Sequence, residues 1–128
     1  MTGRRVRSGG PWEARFGYSR VAVAGDMAFV AGTTDAGADG RSRHPGDPAG
    51  QARAVFEIIE LALGEAGFSL ADVVRTRMFV TEAANIAVVA AIHGEVFRDV
   101  RPASSAVVVA ALIEASLLVE IEADARRT

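Results

Sequence analysis

A run of apolar residues from Ala106 to Ile113 limits the folds open to this sequence more than any other segment. Side chains of a β-strand alternate between the two faces of a sheet, so a strand that is apolar at consecutive positions presents apolar side chains to both faces. The strand predicted from Ser105 to Ala110 has this pattern. Helices of the same chain can cover one face, and the other face then needs a second covering surface. For a chain of 128 residues, we expect further copies of the same chain to provide it.

The first half of the sequence predicts a hairpin followed by a loop. Two short apolar runs, Val21–Ala24 and Met27–Thr33, are separated by Gly25 and Asp26, which is typical of a two-residue hairpin. The glycine, aspartate, serine and proline residues of positions 35–48 then indicate an extended loop.

Two helices are predicted from capping residues and from apolar spacing. Asp47 and Pro48 indicate a helix start, because aspartate can cap free backbone amides and proline is tolerated at the first helical position. Gly67 is placed to end this helix. A second amphipathic helix is predicted over Ala83–Phe97, with His93 packed and hydrogen-bonded on its apolar side. The apolar face of the first helix consists of Ala52, Val55, Phe56, Ile59 and Leu63.

Three strands are predicted in the second half. Val73–Thr81 is alternating and rich in β-branched residues, and it places Val74, Met78 and Val80 on one side of the sheet. Ser104–Leu112 and Leu117–Ala125 are predicted to form a second hairpin. The order hairpin, helix, strand, helix, hairpin predicts an α+β fold in one domain of residues 1–128, with a single sheet and both helices on one face.

Composition excludes several classes of chemistry. The chain has no lysine, which excludes Schiff-base catalysis by a side-chain amine and a Walker-type phosphate site, and no cysteine, which excludes thiol nucleophiles and disulfides. A net charge of -2 argues against nucleic acid as a partner. The sequence shows no leader and no apolar run long enough to span a membrane, and we therefore expect a cytoplasmic protein. Two isolated histidines and no dinucleotide or phosphate fingerprint predict neither a metal nor a cofactor.

Three carboxylates share one face of the last predicted strand. Glu120, Glu122 and Asp124 alternate with apolar residues. One reading is that they line a solvated face or the rim of an interface. The other is that one of them is screened from water between subunits, so that its raised pKa lets it move protons at neutral pH.

Four segments together resemble the Rid (reactive intermediate deaminase) or YjgF family: Tyr18–Arg20, Val30–Thr33, Arg101–Ser105 and Leu118–Glu122. The resemblance covers nearly the whole chain. It implies a chorismate-mutase-like, single mixed β-sheet in a homotrimer, with small-molecule pockets in the clefts between subunits. It also implies that Glu120 is the catalytic residue that positions or activates the attacking water.

The same resemblance places a serine where imine-deaminating members carry an arginine. That residue is Ser104. A guanidinium holds a substrate carboxylate through paired donors and remains charged in a dry pocket, whereas a hydroxyl supplies one donor and no charge. We therefore expect slow or absent hydrolysis of imines of the 2-aminoacrylate type.

Other presumed pocket positions also depart from the family pattern. The resemblance places Tyr18, Ala31, Ser104 and Ser105 at the substrate site, and the small polar residue usual before the second glycine is Ala31 here. A helix position that often carries asparagine falls near Ala90 or Ala91. Tyr18 can supply an aromatic wall or a phenolic hydrogen bond, or it can be an interface residue alone.

Arg20 and Arg77 are the candidates to replace the missing cation and bind substrate. The alternative for both is an ion pair with Glu120, Glu122 or Asp124 at the surface or at an interface.

The sequence leaves three functions open. The first is a hydrolase or deaminase of imine- or carbonyl-type metabolites that uses Glu120. The second is a non-catalytic small-molecule-binding or interaction protein, favoured by Ala31, Ser104 and the alanines near position 90. The third is a ribonuclease or translation inhibitor, for which the sequence provides neither a basic patch with aromatic residues nor a histidine pair.

Overall fold

A computed structural model describes residues 4–128 of the chain. The strands are β1 (Arg5–Val6), β2 (Val21–Ala24), β3 (Met27–Thr33), β4 (Val73–Val80), β5 (Ala103–Val108) and β6 (Val119–Arg126), and the helices are α1 (Glu13–Phe16), α2 (Pro48–Glu65) and α3 (Asn85–Val96). A short 3-10 turn over Leu70–Asp72 directly precedes β4.

The six strands form one mixed sheet in the order β1-β2-β3-β6-β4-β5. Neighbouring strands are antiparallel except β4 and β5, which are parallel. Helices α2 and α3 pack on each other and on one face of this sheet. The predicted α+β class, with a single mixed sheet and both helices on one face, is therefore confirmed.

The first predicted hairpin is confirmed and the second is wrong. β2 and β3 pair through the two-residue loop Gly25–Asp26, where Gly25 has a φ of 60° that favours glycine. β5 and β6 do not pair with each other. Instead β6 lies between β3 and β4, and β5 forms the edge beside β4. The strict alternation of apolar and acidic residues in β6 suits a central strand with one covered face. The prediction failed because it assumed that two strands adjacent in the sequence are also neighbours in the sheet.

Helix α2 begins and ends where its capping residues predict. The Asp47 carboxylate accepts a hydrogen bond from the Gly50 amide at 3.0 Å, and Pro48 is the first helical residue. Gly67, with a φ of 83°, follows the end of the helix. All five residues of the predicted apolar face are buried against the sheet and α3.

Helix α3 confirms that His93 is packed and hydrogen-bonded. Its ring packs edge-to-face against Phe56, and its centroid lies 4.7 Å from the ring centroid of Phe97. Its Nε2 is 2.7 Å from Thr76 Oγ1. Burial lowers the pKa of His93 from its usual value, so the ring is neutral at physiological pH. His93 thus connects α3 to the inner face of β4.

A β-bulge in β4 changes which valine is buried. The pairing of β4 with β6 shifts between Val73 and Arg75, so Val73 takes the covered position and Val74 is 47% exposed. The expectation that Val74 shares a face with Met78 and Val80 is therefore wrong, because strict alternation cannot anticipate an inserted residue.

The apolar run of the carboxyl-terminal region is left largely uncovered. β5 is an edge strand, and Val107 and Val108 are 45% and 49% exposed, as is much of the segment that follows them. The helix-free face of the sheet is mixed in character: Phe29 lies on it beside the ion pairs of Arg77 with Glu122 and Asp124. Across residues 4–128, no helix is long and apolar enough to cross a bilayer.

Candidate functional site

A cleft of about 540 Å³ opens beside the end of β3. Its walls come from the segment before α1, from the residues between α1 and β2, from the end of β3 and the loop that follows it, from α2, and from the outer face of β6. It is lined by residues 8–12, 31–34 and 36–38 together with Tyr18, Arg20, Arg43, Ile58, Ile113 and Glu120.

Glu120 points into the cleft because successive side chains of β6 alternate between the two faces of the sheet. Its neighbours Val119 and Ile121 face the helices and are fully buried, so Glu120 projects to the opposite face. There its carboxyl group lies directly over Gly32 of β3. A methyl group on Gly32 would lie 2.9 Å from Glu120 Cδ and closer still to Oε2, so the position of the carboxyl group requires glycine.

The environment of Glu120 favours its protonated form. Burial raises the pKa of Glu120 above the ordinary value of 4.5, the positive charge of Arg20 lowers it in part, and the charge of Glu122 raises it again. The net shift is upward. A carboxyl group of this kind can exchange a proton closer to neutral pH than a solvated glutamate does.

Arg20 lies in the same cleft, but its donors are largely occupied. Its Nη1 donates to the Gly32 carbonyl at 2.6 Å and to Thr33 Oγ1 at 3.0 Å, and its Nη2 pairs with Glu13 at 3.4 Å. Both charged side chains of this pair are buried. Within one chain, the acidic partner of Arg20 is therefore Glu13 of the short helix α1 and not an acid of β6.

Tyr18 and Ala31 complete the group of predicted residues that the cleft brings together. The Arg20 guanidinium carbon is 5.6 Å from the centre of the Tyr18 ring, which orients the tyrosine against the cation. Ala31 lies beside Gly32 in the cleft wall. Four sequence-predicted site residues, Tyr18, Arg20, Ala31 and Glu120, thus share one cleft.

Three predicted site residues lie outside this cleft in the chain. Ser104 Oγ accepts a hydrogen bond from Thr76 Oγ1 at 2.8 Å, on the helix-covered side of the sheet and therefore on the face opposite Glu120. Ser105 is the register partner of Arg77 near the sheet edge. Arg77 pairs with Glu122 at 3.2 Å and Asp124 at 3.5 Å, as the ion-pair alternative expects.

Sequence reasoning missed Arg43. This exposed residue lines the cleft, and it forms no ion pair within the described part of the chain. It belongs to the glycine-rich loop of positions 35–48, for which the composition predicts only a connecting segment. The available signal was its place between Ser42 and His44, two side chains able to fix a loop by hydrogen bonds.

Neither histidine lies where it would serve a metal. His44 Nδ1 is 3.0 Å from the buried Asp35 carboxylate, while His93 is on α3. Between Arg4 and Thr128, no three histidine, aspartate or glutamate side chains gather into a group able to hold a metal ion.

Comparison with known proteins gives consistent matches over most of the chain. The family model described as endoribonuclease L-PSP matches residues 11–127. An uncharacterized protein of Streptomyces coelicolor is 38% identical over 97% of this chain and 92% of its own length. The 3-aminoacrylate deaminase RutC of Acinetobacter baylyi is 32% identical over 81% of this chain and 82% of its own length.

A solved structure gives the same result for the fold. A Mycobacterium tuberculosis member of the YjgF/YER057c/UK114 family superimposes with a TM-score of 0.88 at 44% identity, covering 98% of this chain and 100% of that one. The chain therefore belongs to the endoribonuclease L-PSP family, the group of YjgF and Rid proteins that its motifs resemble.

Proposed function

We propose that the protein hydrolyses small imine-type metabolites in the cleft that contains Glu120. The observation that carries this proposal is a half-buried carboxyl group of raised pKa, held over Gly32 in a cleft of about 540 Å³. The similarity to a relative named as a 3-aminoacrylate deaminase supports the same reaction class.

The chemistry needs one group that moves protons between water and substrate. The Glu120 carboxylate takes a proton from a water molecule as the water oxygen bonds to the imine carbon. The protonated Glu120 then gives its proton to the nitrogen of the resulting carbinolamine. As the carbon–nitrogen bond breaks, the carboxylate takes the hydroxyl proton, and a carbonyl compound and ammonia leave. Tyr18 supplies an aromatic wall and a hydroxyl group beside this path.

The proposal includes a homotrimer in which a neighbouring subunit closes the cleft. Ser104 and Glu120 lie on opposite faces of the sheet in one chain, so only residues of different chains can bring these two positions to one site. The uncovered apolar residues of β5 supply the contact surface. A reducing, cytoplasmic setting is part of this proposal, and the absence of cysteine favours it.

The direct test is hydrolysis of 2-aminoacrylate, generated in the assay from serine by a dehydratase. Release of pyruvate is followed with lactate dehydrogenase, with and without the protein. We expect a slow acceleration by the protein, because Ser104 stands where imine-deaminating family members carry an arginine, and no acceleration by the Glu120→Gln variant, since the amide cannot accept the proton. No acceleration, or equal rates for both proteins, would contradict the proposal.

Non-catalytic binding is the second candidate, and one observation favours it. Most donors of Arg20 are occupied by protein groups, and Ser104 Oγ is used within the sheet by Thr76, so two polar positions expected to contact substrate are satisfied internally. This candidate predicts saturable ligand binding without turnover. Substrate turnover that depends on Glu120 would eliminate it.

Ribonuclease activity has less support in this structure. Its usual acid–base pair of histidines is not formed, because His44 is bound to Asp35 in the loop after β3 and His93 is bound to Thr76 beneath α3.

A further inference from the structure

We infer that Ser104 is a nucleophile for acyl transfer, activated by His93 through the hydroxyl group of Thr76, and that its donors are esters of small, uncharged acyl groups. The side chains of Ser104, Thr76 and His93 are named the hydroxyl relay below. The inference goes beyond the proposed hydrolysis of imines, because the relay lies on the face of the sheet opposite Glu120.

The hydroxyl relay is held together by two hydrogen bonds. Thr76 Oγ1 lies 2.8 Å from Ser104 Oγ and 2.7 Å from His93 Nε2. Thr76 is fully buried, whereas Ser104 is exposed and His93 is half-buried. The rings of Phe56 and Phe97 pack against the imidazole and hold it in place. The relay therefore connects an accessible hydroxyl group to a fixed imidazole and is ordered before a substrate arrives.

The hydroxyl relay can carry a proton away from Ser104. A neutral imidazole has one donor and one acceptor nitrogen, and a hydroxyl group both donates and accepts. When the proton of His93 is on Nδ1, Thr76 donates to Nε2 and Ser104 donates to Thr76; the other tautomer reverses both bonds. Burial lowers the pKa of His93, so the ring is a neutral base at physiological pH. Ser104 thus has the linked base that a serine nucleophile requires.

The backbone of β5 offers a donor for the oxygen of an acyl group. In a parallel pair, each residue directs its amide and its carbonyl group to the same side, and the next residue directs both to the other side. The Val109 amide donates to the Val80 carbonyl of β4. The amides of Ser104 and Ala106 therefore point away from β4, to an edge that has no further strand in the described part of the chain. Serine proteases likewise use the amide of the nucleophile itself to bind the oxyanion.

The side chains around Ser104 favour an uncharged acyl group. The neighbouring positions on its face of β4 and β5 are all apolar: Met78, Val80, Ala106 and Val108. A short acyl chain can lie along this strip, whereas a carboxylate there would lose water without gaining a cation.

The transfer step conserves every proton. Ser104 Oγ bonds to the carbonyl carbon of the ester as its own proton passes to Thr76 and the Thr76 proton passes to His93 Nε2. The bond between that carbon and the leaving oxygen then breaks, and the proton returns through Thr76 to the departing alcohol. Ser104 now carries the acyl group as an ester. A water molecule that attacks this ester by the same route releases the acid and restores the hydroxyl group.

The inference is tested with p-nitrophenyl acetate and mass spectrometry. The protein is incubated with the ester, and the peptide that contains Ser104 and Ser105 is mapped by fragmentation. We expect one acetyl group, on Ser104 and not on Ser105. Ser105 is also exposed on β5, but its register partner is Arg77 and it is not linked to a histidine. This comparison of two adjacent serines uses the wild-type protein alone.

Two matched variants of Thr76 test the hydroxyl relay itself. Thr76→Val removes the hydroxyl group and keeps a β-branched side chain, and we expect the rate of acetylation of Ser104 to fall about 100-fold. Thr76→Ser keeps the hydroxyl group and should retain most of the rate. His93→Phe keeps aromatic packing against Phe56 and Phe97 without the base, and should be as slow as Thr76→Val. Circular dichroism establishes that each variant is folded.

Three results would overturn the inference. They are a wild-type protein without an acetyl group on Ser104, equal acetylation of Ser104 and Ser105, and equal rates for the Thr76→Val and Thr76→Ser variants. The imine reaction is measured separately with 2-aminoacrylate, so the failure of one activity is distinguished from the failure of the other.

Discussion

Gly32 and Glu120 form a pair in which a missing side chain makes room for a reactive one. The carboxyl group of Glu120 occupies the space that any Cβ at position 32 would need. Gly32 does not have a positive φ, so alanine is compatible with the backbone and the substitution acts through the carboxyl group alone.

We predict that Gly32→Ala lowers kcat/KM for imine hydrolysis about 100-fold while changing the free energy of unfolding by less than about 1 kcal/mol. The physical reason is displacement of Glu120 from the cleft floor. Kinetics and thermal unfolding measure the two effects. Gly64→Ala is the control, since no atom lies within 4 Å of a Cβ at that exposed helical position. A Gly32→Ala variant with wild-type kinetics would show that the placement of the carboxyl group is unimportant.

Burial of Glu120 also predicts a particular dependence of stability on pH. The folded protein holds this proton more tightly than the unfolded chain, whose glutamate has the ordinary pKa of 4.5. Between that value and the raised pKa, the native state binds more protons, so stability falls as pH rises. The side-chain amide of the Glu120→Gln variant does not titrate, so the stability of this variant lacks the decrease that Glu120 causes.

We therefore expect Glu120→Gln to become more stable relative to wild type as pH rises from 4.5 through the raised pKa of Glu120, with a constant difference above it. Urea unfolding of both proteins from pH 4 to 8 measures the difference. The wild-type hydrolysis rate should fall as pH drops below the same raised pKa, because the base must be ionised. Parallel stability curves for the two proteins would show that the carboxyl group is not perturbed.

Sequence reasoning named some of the residues that line the candidate cleft and missed others for definable reasons. Tyr18, Ala31 and Glu120 lie in recognisable motifs, and the structure brings them together. The partner of Arg20 could not be predicted, because Glu13 comes from a four-residue helix with no clear periodicity. Arg43 was missed because its place in the cleft wall depends on where a loop runs, and the course of this loop is set by hydrogen bonds of Asp35 and Ser116 that local pattern does not reveal.

Helix α2 shows how a local signal fixes an element. Asp47 caps the first turn through the Gly50 amide. We predict that Asp47→Ala lowers the free energy of unfolding by about 1 kcal/mol, a decrease in Tm of roughly 2–5 °C, whereas Asp47→Asn retains most of the stability because asparagine also caps. Thermal unfolding monitored at 222 nm measures both. Equal losses in the two variants would contradict a capping role, and Glu57→Ala on the exposed face of α2 is the control.

Strand pairing was less predictable than the strands themselves. All of β2 to β6 were located from alternation and turn residues, but the insertion of β6 between β3 and β4 was not. Local pattern reports which face of a strand is buried, whereas the neighbour of a strand is decided by the packing of the whole sheet. The bulge at Val74 escaped prediction for the same reason.

The exposed apolar residues of β5 are the surface on which the proposed trimer depends. If that proposal holds, we predict that Val107→Glu shifts the protein from three chains to one, because the charge would be buried without a partner between subunits. Sedimentation velocity at micromolar concentration distinguishes the mass of three chains from that of one. Leu61→Glu is the matched control, since Leu61 is 71% exposed on α2 and lies away from β5.

A Val107→Glu protein that still sediments as three chains would show that β5 is not in the contact. A wild-type protein that sediments as one chain at all concentrations would contradict the trimer itself, and the cleft would then be open to solvent on one side.

The central position of β6 has a consequence for synthesis on the ribosome. β3 and β4 do not touch until β6, which follows every other strand along the sequence, fills the gap between them. The nascent chain can form α2 and the first hairpin early, but the two parts of the sheet stay separate until residues 119–126 leave the exit tunnel. During that interval the inner faces of β3 and β4 are exposed, which is when we expect this chain to depend most on chaperones.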